Sequence, residues 1–488
     1  MSLGEVDKLR KQGLLDEALK VAEKDFEAAS YTLAPVAVLN VLSDISKING
    51  REIEAFTRLK SVVDSLTDDS HMSAGWIIYR YLKAGISFCS SYDLRKALFI
   101  YLKLKVDKPS LLHSLIMKQA VDLERQHHDT FKFLEFFRIW GGVEMFSEED
   151  WKRFRPMRGR SIPSLVEQVA TRCGAEIKDD KMKYAPEHYV NLLDKAVEYY
   201  KDNANLKRHK AYLYSLEGDM ESAIEIYKKI LLHKNDSYLW EELSELTDDV
   251  DYRKMALARA MLSGQKEEFL VNIHLSLAHC FLWERDFSHA LAELEAYRKT
   301  YELHGWNLKN DYARLRTMIP EGTVPEGGNK NFYRKLSSGI DDIIYSVLPE
   351  CYLMLGKLFV DRRHKKMAFL ISDDGKRRYI VEQKFLKKNG NNAFVTFYAG
   401  RVSGSGKNAK VVSLRAVEDD IHVVHIFKLS KIMGHVRLKK NDKGQQYAFV
   451  QDCYIHPRLA ADLVDNEKVV CLSKKGKKGD VAVKISKC

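Results

Sequence analysis

From residue 1 to about 300, apolar residues recur at i, i+3, i+4 and i+7, and glycine and proline are sparse. That spacing draws one apolar stripe along each helix, so this stretch reads as helix after helix. Two segments break the pattern. Residues 146–180 (FSEEDWKRFRPMRGRSIPSLVEQVATRCGAEIKDD) contain prolines, a Trp151/Phe154 aromatic pair and five basic residues within WKRFRPMRGR. Residues 319–331 (IPEGTVPEGGNKN) hold two prolines and three glycines and read as a loop. Helical spacing resumes from Phe332 to about Val360. After Arg363 the period changes to two, β-branched residues appear, and short turn clusters such as Asp373-Asp374-Gly375 separate the runs, which predicts strands. The expected order is α then β: helical blocks over 1–145 and 186–318, a basic, aromatic connector over 146–185, a loop and helical connector over 319–362, and two small β-barrels over 363–420 and 421–488.

The helical blocks carry an internal repeat. In LKRHKAYLYSLEGDMESAIEIYKKILLHKN (206–235), Ala211 is small where one helix must approach its neighbour, and Tyr214 follows on the same face. Gly218-Asp219 makes the turn, Ala223 is the second small residue, and Tyr227 and Leu231 continue the buried face. Bulk at 211 or 223 would push the two helices apart. The spacing returns at Ala278, Phe281, Asp286, Phe287 and Ala290, with Arg285 in place of the turn glycine. It returns again at Gly13 and Ala18, and at Ser43, Gly50 and Ala55, with a weaker copy over Tyr92–Leu104. These units resemble the tetratricopeptide repeat. The resemblance implies an α-solenoid of stacked helical hairpins whose concave face takes a protein or peptide partner.

The C-terminal segment from Gly434 (GHVRLKKNDKGQQYAFVQDCYIHPRLAADLVDNEKVVCLSKKGKKGDVAVKI) resembles a cold-shock domain, a five-stranded OB-type barrel. Gly434–Arg437 fits its first strand, Tyr447-Ala448-Phe449-Val450 and Cys453-Tyr454-Ile455-His456 its two aromatic motifs, and Gly479–Val483 its closing strand. Leu438 and Lys439 stand where that family has first-strand aromatics, and the loop before Tyr447 is longer. Aromatics two apart on a strand share a face. Tyr447, Phe449, Tyr454 and His456 are therefore expected to form a platform on which the bases of a single strand stack. Arg437, Lys439, Lys440, Lys443 and Arg458 would neutralise phosphates. An earlier copy over Lys365–Val417 takes Met367–Leu370 as strand one, Arg377–Val381 as the aromatic strand, Lys384–Leu386 as the next and Gly406–Val412 as the last. Its expected contacts are Tyr379 and Phe385, with Arg377, Arg378 and Lys384.

Charge sharpens this picture. From Asp361 to Cys488 there are 28 Lys+Arg against 13 Asp+Glu, whereas the rest of the chain holds 51 against 55. All the excess of positive charge lies in the last quarter, where it attracts polyanions. No apolar run reaches the roughly 18 residues that span a bilayer. The polar N-terminus lacks a leader pattern, which predicts a cytoplasmic protein. The seven cysteines have no CxxC spacing and no neighbouring histidine cluster, so neither a zinc site nor a disulfide framework is expected. Ser405-Gly406-Lys407 is no phosphate loop, because Arg401 and Asn408 occupy the required Gly and Ser/Thr positions. With no nucleophile pattern and no cofactor motif, the expected function is non-enzymatic: an adaptor that binds RNA or single-stranded DNA through 363–488 and a protein through its helical array, in RNA metabolism, translation control or defence. A scaffold whose basic barrels grip an acidic protein is the alternative.

Overall fold

The computed structural model describes the chain apart from residues 1–2, 29–33, 46–47, 49, 52–53, 56, 59, 61–62, 64–71, 86–90, 105, 128–129, 157–158, 160, 389–395, 405, 418–419, 443 and 477–478. It divides into two units, Met1–Ile226 and Tyr227–Cys488.

The first unit is helical. Its helices Leu3–Lys11 and Leu15–Glu27 form a hairpin whose turn uses Gly13 at φ 77°, a left-handed conformation that only glycine adopts cheaply. Ala18 is fully buried, as close packing at that position requires. A fused apolar core continues through the later helices and takes in Tyr101, Ile116, Phe133, Phe137 and Trp140. The stretch read as a connector contains a full helix, Leu165–Asp179, whose start is fixed by a capping box between Ser164 and Glu167. Ahead of it, Phe154 and Ile162 pair in a short antiparallel bridge and are 64% and 49% exposed. Arg153 anchors this arm. Its guanidinium meets buried Glu167 at 2.5 Å and Asp202 at 2.7 Å, and lies 5.0 Å from the Tyr200 ring centroid.

Helical hairpins open the second unit. Ala278 and Ala290 are fully buried in the pair Val271–Trp283 and Phe287–His304. Arg285 takes the turn position at φ 61°, doing there what glycine does in the other hairpins. Asp286 caps the second helix through the His289 amide. His274 is buried against Glu293 (2.6 Å), and Tyr333 of the helix Lys330–Leu336 donates to the other Glu293 oxygen at 2.9 Å. No helix among the described residues is long and apolar enough to cross a membrane.

Helix was expected to about Val360; it ends instead at Tyr345. Pro349 cannot donate to a helix, and β1 (Glu350–Val360) follows directly. The segment hides its period of two because both faces are covered. Leu353 and Leu355 enter one core and Met354 enters another. β1 joins β2 (Lys366–Ser372), β3 (Arg378–Glu382), β4 (Phe397–Ser403) and β5 (Lys410–Ala416) in an antiparallel sheet of order β3-β2-β1-β4-β5. Residues 384–386, expected as a strand, lie in a short helix, Gln383–Lys388. Nor do the described residues of this first module close into a barrel. Its interior holds large side chains, Tyr379, Tyr398, Leu370 and Leu414 among them.

The second module closes. β6 (Ser430–Lys440), β7 (Gln446–Val450), β8 (Cys453–Ile455), β9 (Lys468–Gly476) and β10 (Gly479–Lys487) form a barrel of order β10-β8-β7-β6-β9, sealed by the parallel β10–β8 contact. Its interior includes the small residues Ala448, Cys453, Cys471 and Ala482 beside Val436, Val450 and Ile455. Helix Asp420–Phe427 glues the modules together: Val423 and Phe427 pack with Met354 and Phe397 of the sheet and Leu472 of the barrel.

The modules are two copies of one motif. β1 and β6 span 350–360 and 430–440, an offset of 80 residues, and the turns that follow match at the same offset. Asp361 N donates to Lys365 O, and Asn441 N donates to Gln445 O, each at 3.0 Å. The Ala368-Phe369 pair of β2 then stands where Ala448-Phe449 stands in β7. Met367–Leu370 is thus the second strand of its module, whereas the sequence reading made it the first.

Candidate nucleic-acid interface

The alternation of β7 sends Ala448 and Val450 into the barrel core and turns Tyr447 and Phe449 outward. Strand register extends that outer row. Phe449 lies opposite Arg437 on β6 and opposite Tyr454 on β8, Tyr454 opposite Val481 on β10, and Val481 opposite Lys474 on β9. Tyr447 lies opposite Lys439. The three rings form one cluster, with centroids 5.9 Å (Tyr447–Phe449), 5.7 Å (Phe449–Tyr454) and 5.9 Å (Tyr447–Tyr454) apart. Each ring is half-buried, while Arg437, Lys439 and Lys440 are exposed. The Lys439 ammonium lies 5.5 Å from the Phe449 centroid, and the Arg437 guanidinium donates to the Gln451 carbonyl at 2.5 Å.

His456 stands at the end of the expected platform and is exposed. It follows the end of β8 and caps the one-turn helix Pro457–Ala460, its Nδ1 accepting from the Arg458 amide at 3.2 Å. Burial, and then the charges of Arg458 and Lys357, hold its pKa below the usual histidine value, which suits a ring nitrogen that accepts. Arg458 is likewise engaged. Its guanidinium donates to the Gly356 carbonyl of β1 at 3.2 Å, which ties the barrel to the first module. Lys443 lies outside the described residues.

In the first module the expected aromatics are displaced. Tyr379 alternates with exposed Arg378 and Ile380 and so points into the core, where it is 7% exposed. Phe385 sits on the helix Gln383–Lys388 and packs against the same core. Arg377 and Arg378 are exposed at the start of β3, and Lys384 pairs with Glu382 at 2.8 Å. Two aromatics that the sequence reading passed over occupy the outer face instead. Phe359 and Phe369 stack with centroids 4.6 Å apart and planes 21° from parallel. Phe369 lies opposite Ile380, which is 59% exposed. The recurrence of Ala-Phe at 368–369 and 448–449 was the signal that would have found Phe369.

Residues 206–339 match a family model described as a domain of unknown function (DUF7017). This stretch covers helical hairpins and stops before β1. Among solved structures the chain is similar to one described as "Structure of Naa15/Naa10 bound to HypK-THB", at 13% identity and a TM-score of 0.23. The likeness covers 70% of this chain and 52% of that one, so this chain spans about half of that chain's length. No curated protein matches.

Proposed function

We propose that this chain is a non-enzymatic adaptor that binds RNA, or another single-stranded nucleic acid, through its C-terminal β modules and a protein partner through its helical hairpins. One observation carries the reading: the outer barrel row Arg437–Phe449–Tyr454, with Tyr447 beside it and Lys439 over the Phe449 ring. Aromatic faces accept any base, and flanking cations accept phosphates, so this surface suits an unpaired strand better than a duplex, whose bases hide their faces. The +15 net charge of residues 361–488 supports the same polymer class. An acidic protein partner would use the charge but leave three clustered aromatics without a role.

Fluorescence anisotropy of the full chain with a labelled single-stranded RNA tests this. Binding is expected to fall log-linearly with salt. Phe449→Ala with Tyr454→Ala is expected to weaken it by at least about tenfold, at ~1–3 kcal/mol per stacked base, with the melting curve unchanged. Absence of binding at low salt would overturn the proposal in favour of the protein-only scaffold.

A further inference from the structure

We propose that the first β module bears a second base-stacking surface, centred on Phe359 and Phe369, and that the two modules form one extended site for a single-stranded nucleic acid. This rests on the reading above and extends it to residues of the first module that have so far had no role.

The duplication supplies the first argument. At the 80-residue offset, Phe369 takes the place of Phe449, Met367 that of Tyr447, Phe359 that of Lys439 and Lys357 that of Arg437. Ile380 faces Phe369 as Tyr454 faces Phe449. The first module thus repeats the layout of the barrel's outer row with two aromatics in place of three, Phe369 at the shared position and Phe359 on β1.

Exposure supplies the second. Core-forming residues of β2, Ala368 and Leu370, point the other way; the Phe359 and Phe369 rings are half-buried, and Ile380, opposite Phe369, is 59% exposed. A stacked phenylalanine pair on the outer face of a sheet is needed by neither module's core. Cations gather at one end of the sheet. A pocket of about 440 Å3 adjoins this end of the sheet, lined by Lys365, Lys366, Lys384 and Lys387 with Glu382 and Gln383. Four lysines against one glutamate leave it positive, as a phosphate backbone requires.

The seam between the modules supplies the third. Arg458 of the barrel reaches the Gly356 carbonyl, three residues before Phe359, and it follows Tyr454 by four. The Lys474 ammonium rests against the β2–β3 turn, where a Cβ built on Gly375 would stand 3.5 Å from Nζ. These contacts and the shared apolar cluster fix the two surfaces relative to each other. Linking two sites rigidly makes the second binding step intramolecular, so a strand that reaches both gains affinity that neither surface has alone.

The test compares labelled single-stranded RNAs of about 4 and about 16 nucleotides, the range of site sizes for one such module, on the full chain. Phe359→Leu with Phe369→Leu keeps apolar volume and removes the ring faces; Phe449→Leu with Tyr454→Leu serves as the reference. We expect the first pair to weaken the long RNA by about tenfold or more, in line with the loss of two stacked bases, and to leave the short one within about twofold. If the wild-type chain binds both RNAs and the first pair changes neither, the second surface is overturned and the barrel reading stands. If the wild-type chain binds neither, both readings fall. Circular dichroism melts of each variant confirm that folded protein is compared.

Discussion

Lys439 holds its ammonium 5.5 Å from the centroid of the Phe449 ring, on the outer face of the closed barrel. The cation is thus poised beside a ring that can stack a base, where it can meet the phosphate attached to that base. Lys439→Gln is expected to reduce the salt dependence of single-strand binding by about 0.7 in log–log slope, the value for one phosphate contact on a single strand. A salt titration checks this; an unchanged slope would remove Lys439 from the interface.

Two buried histidines should respond to pH in opposite directions. His274 is 3% exposed; burial opposes its charge, but Glu267 and Glu293 outweigh burial and raise its pKa to about 9. A raised folded-state value contributes stability that is complete below the unfolded value of about 6.5 and is lost as pH rises through about 9. His113 is fully buried between Tyr101 and Trp140. Burial, and then the charge of Lys108, lowers its pKa to about 4. Its depressed value costs stability as pH falls below about 6.5, the loss levelling off below about 4. Each effect is on the order of 3 kcal/mol at its limit. Thermal melts across pH 4–10 should show His274→Gln removing the alkaline loss and His113→Gln removing part of the acid loss.

Arg153 bridges Glu167, which is 2% exposed, and Asp202, and packs on Tyr200. Removing one partner of a buried pair strands the other charge, so Arg153→Ala should destabilise the first unit by about 3–5 kcal/mol. Urea unfolding followed by tryptophan fluorescence measures this, since Trp151 lies beside Tyr200. A change below about 1 kcal/mol, the worth of an exposed pair, would show that the contact is not buried in effect.

The helical hairpins were legible because each needs a small residue at its crossing and a left-handed turn, and Gly13, Ala18, Ala211 and Ala223 announce both. The barrel was legible because small Ala448 and Cys453 alternate with the outward aromatics Tyr447, Phe449 and Tyr454 along β7 and β8. The first module was not. Met354 and Leu355 are buried on opposite faces, so β1 reads as an unbroken apolar run that a helix could equally produce. Missing β1 moved β2 and β3 one place early in their module, which promoted Tyr379 to the platform and left Phe369 unremarked. Flanking arginines made Tyr379 conspicuous, yet its neighbours' exposure is the mark of an inward residue. His456 carries a second task for a local reason: Pro457 ends the strand, so the exposed ring that extends the sequence motif also caps a helix.

Closure separates the two copies in how they come apart. A ring of five strands has no end from which to unzip, and a strand leaves it only by breaking the ladders on both of its sides. The β3-β2-β1-β4-β5 sheet has two ends, and either outermost strand can leave by breaking a single ladder. Backbone amides of β3 and β5 therefore have a cheaper route to solvent than those of β7.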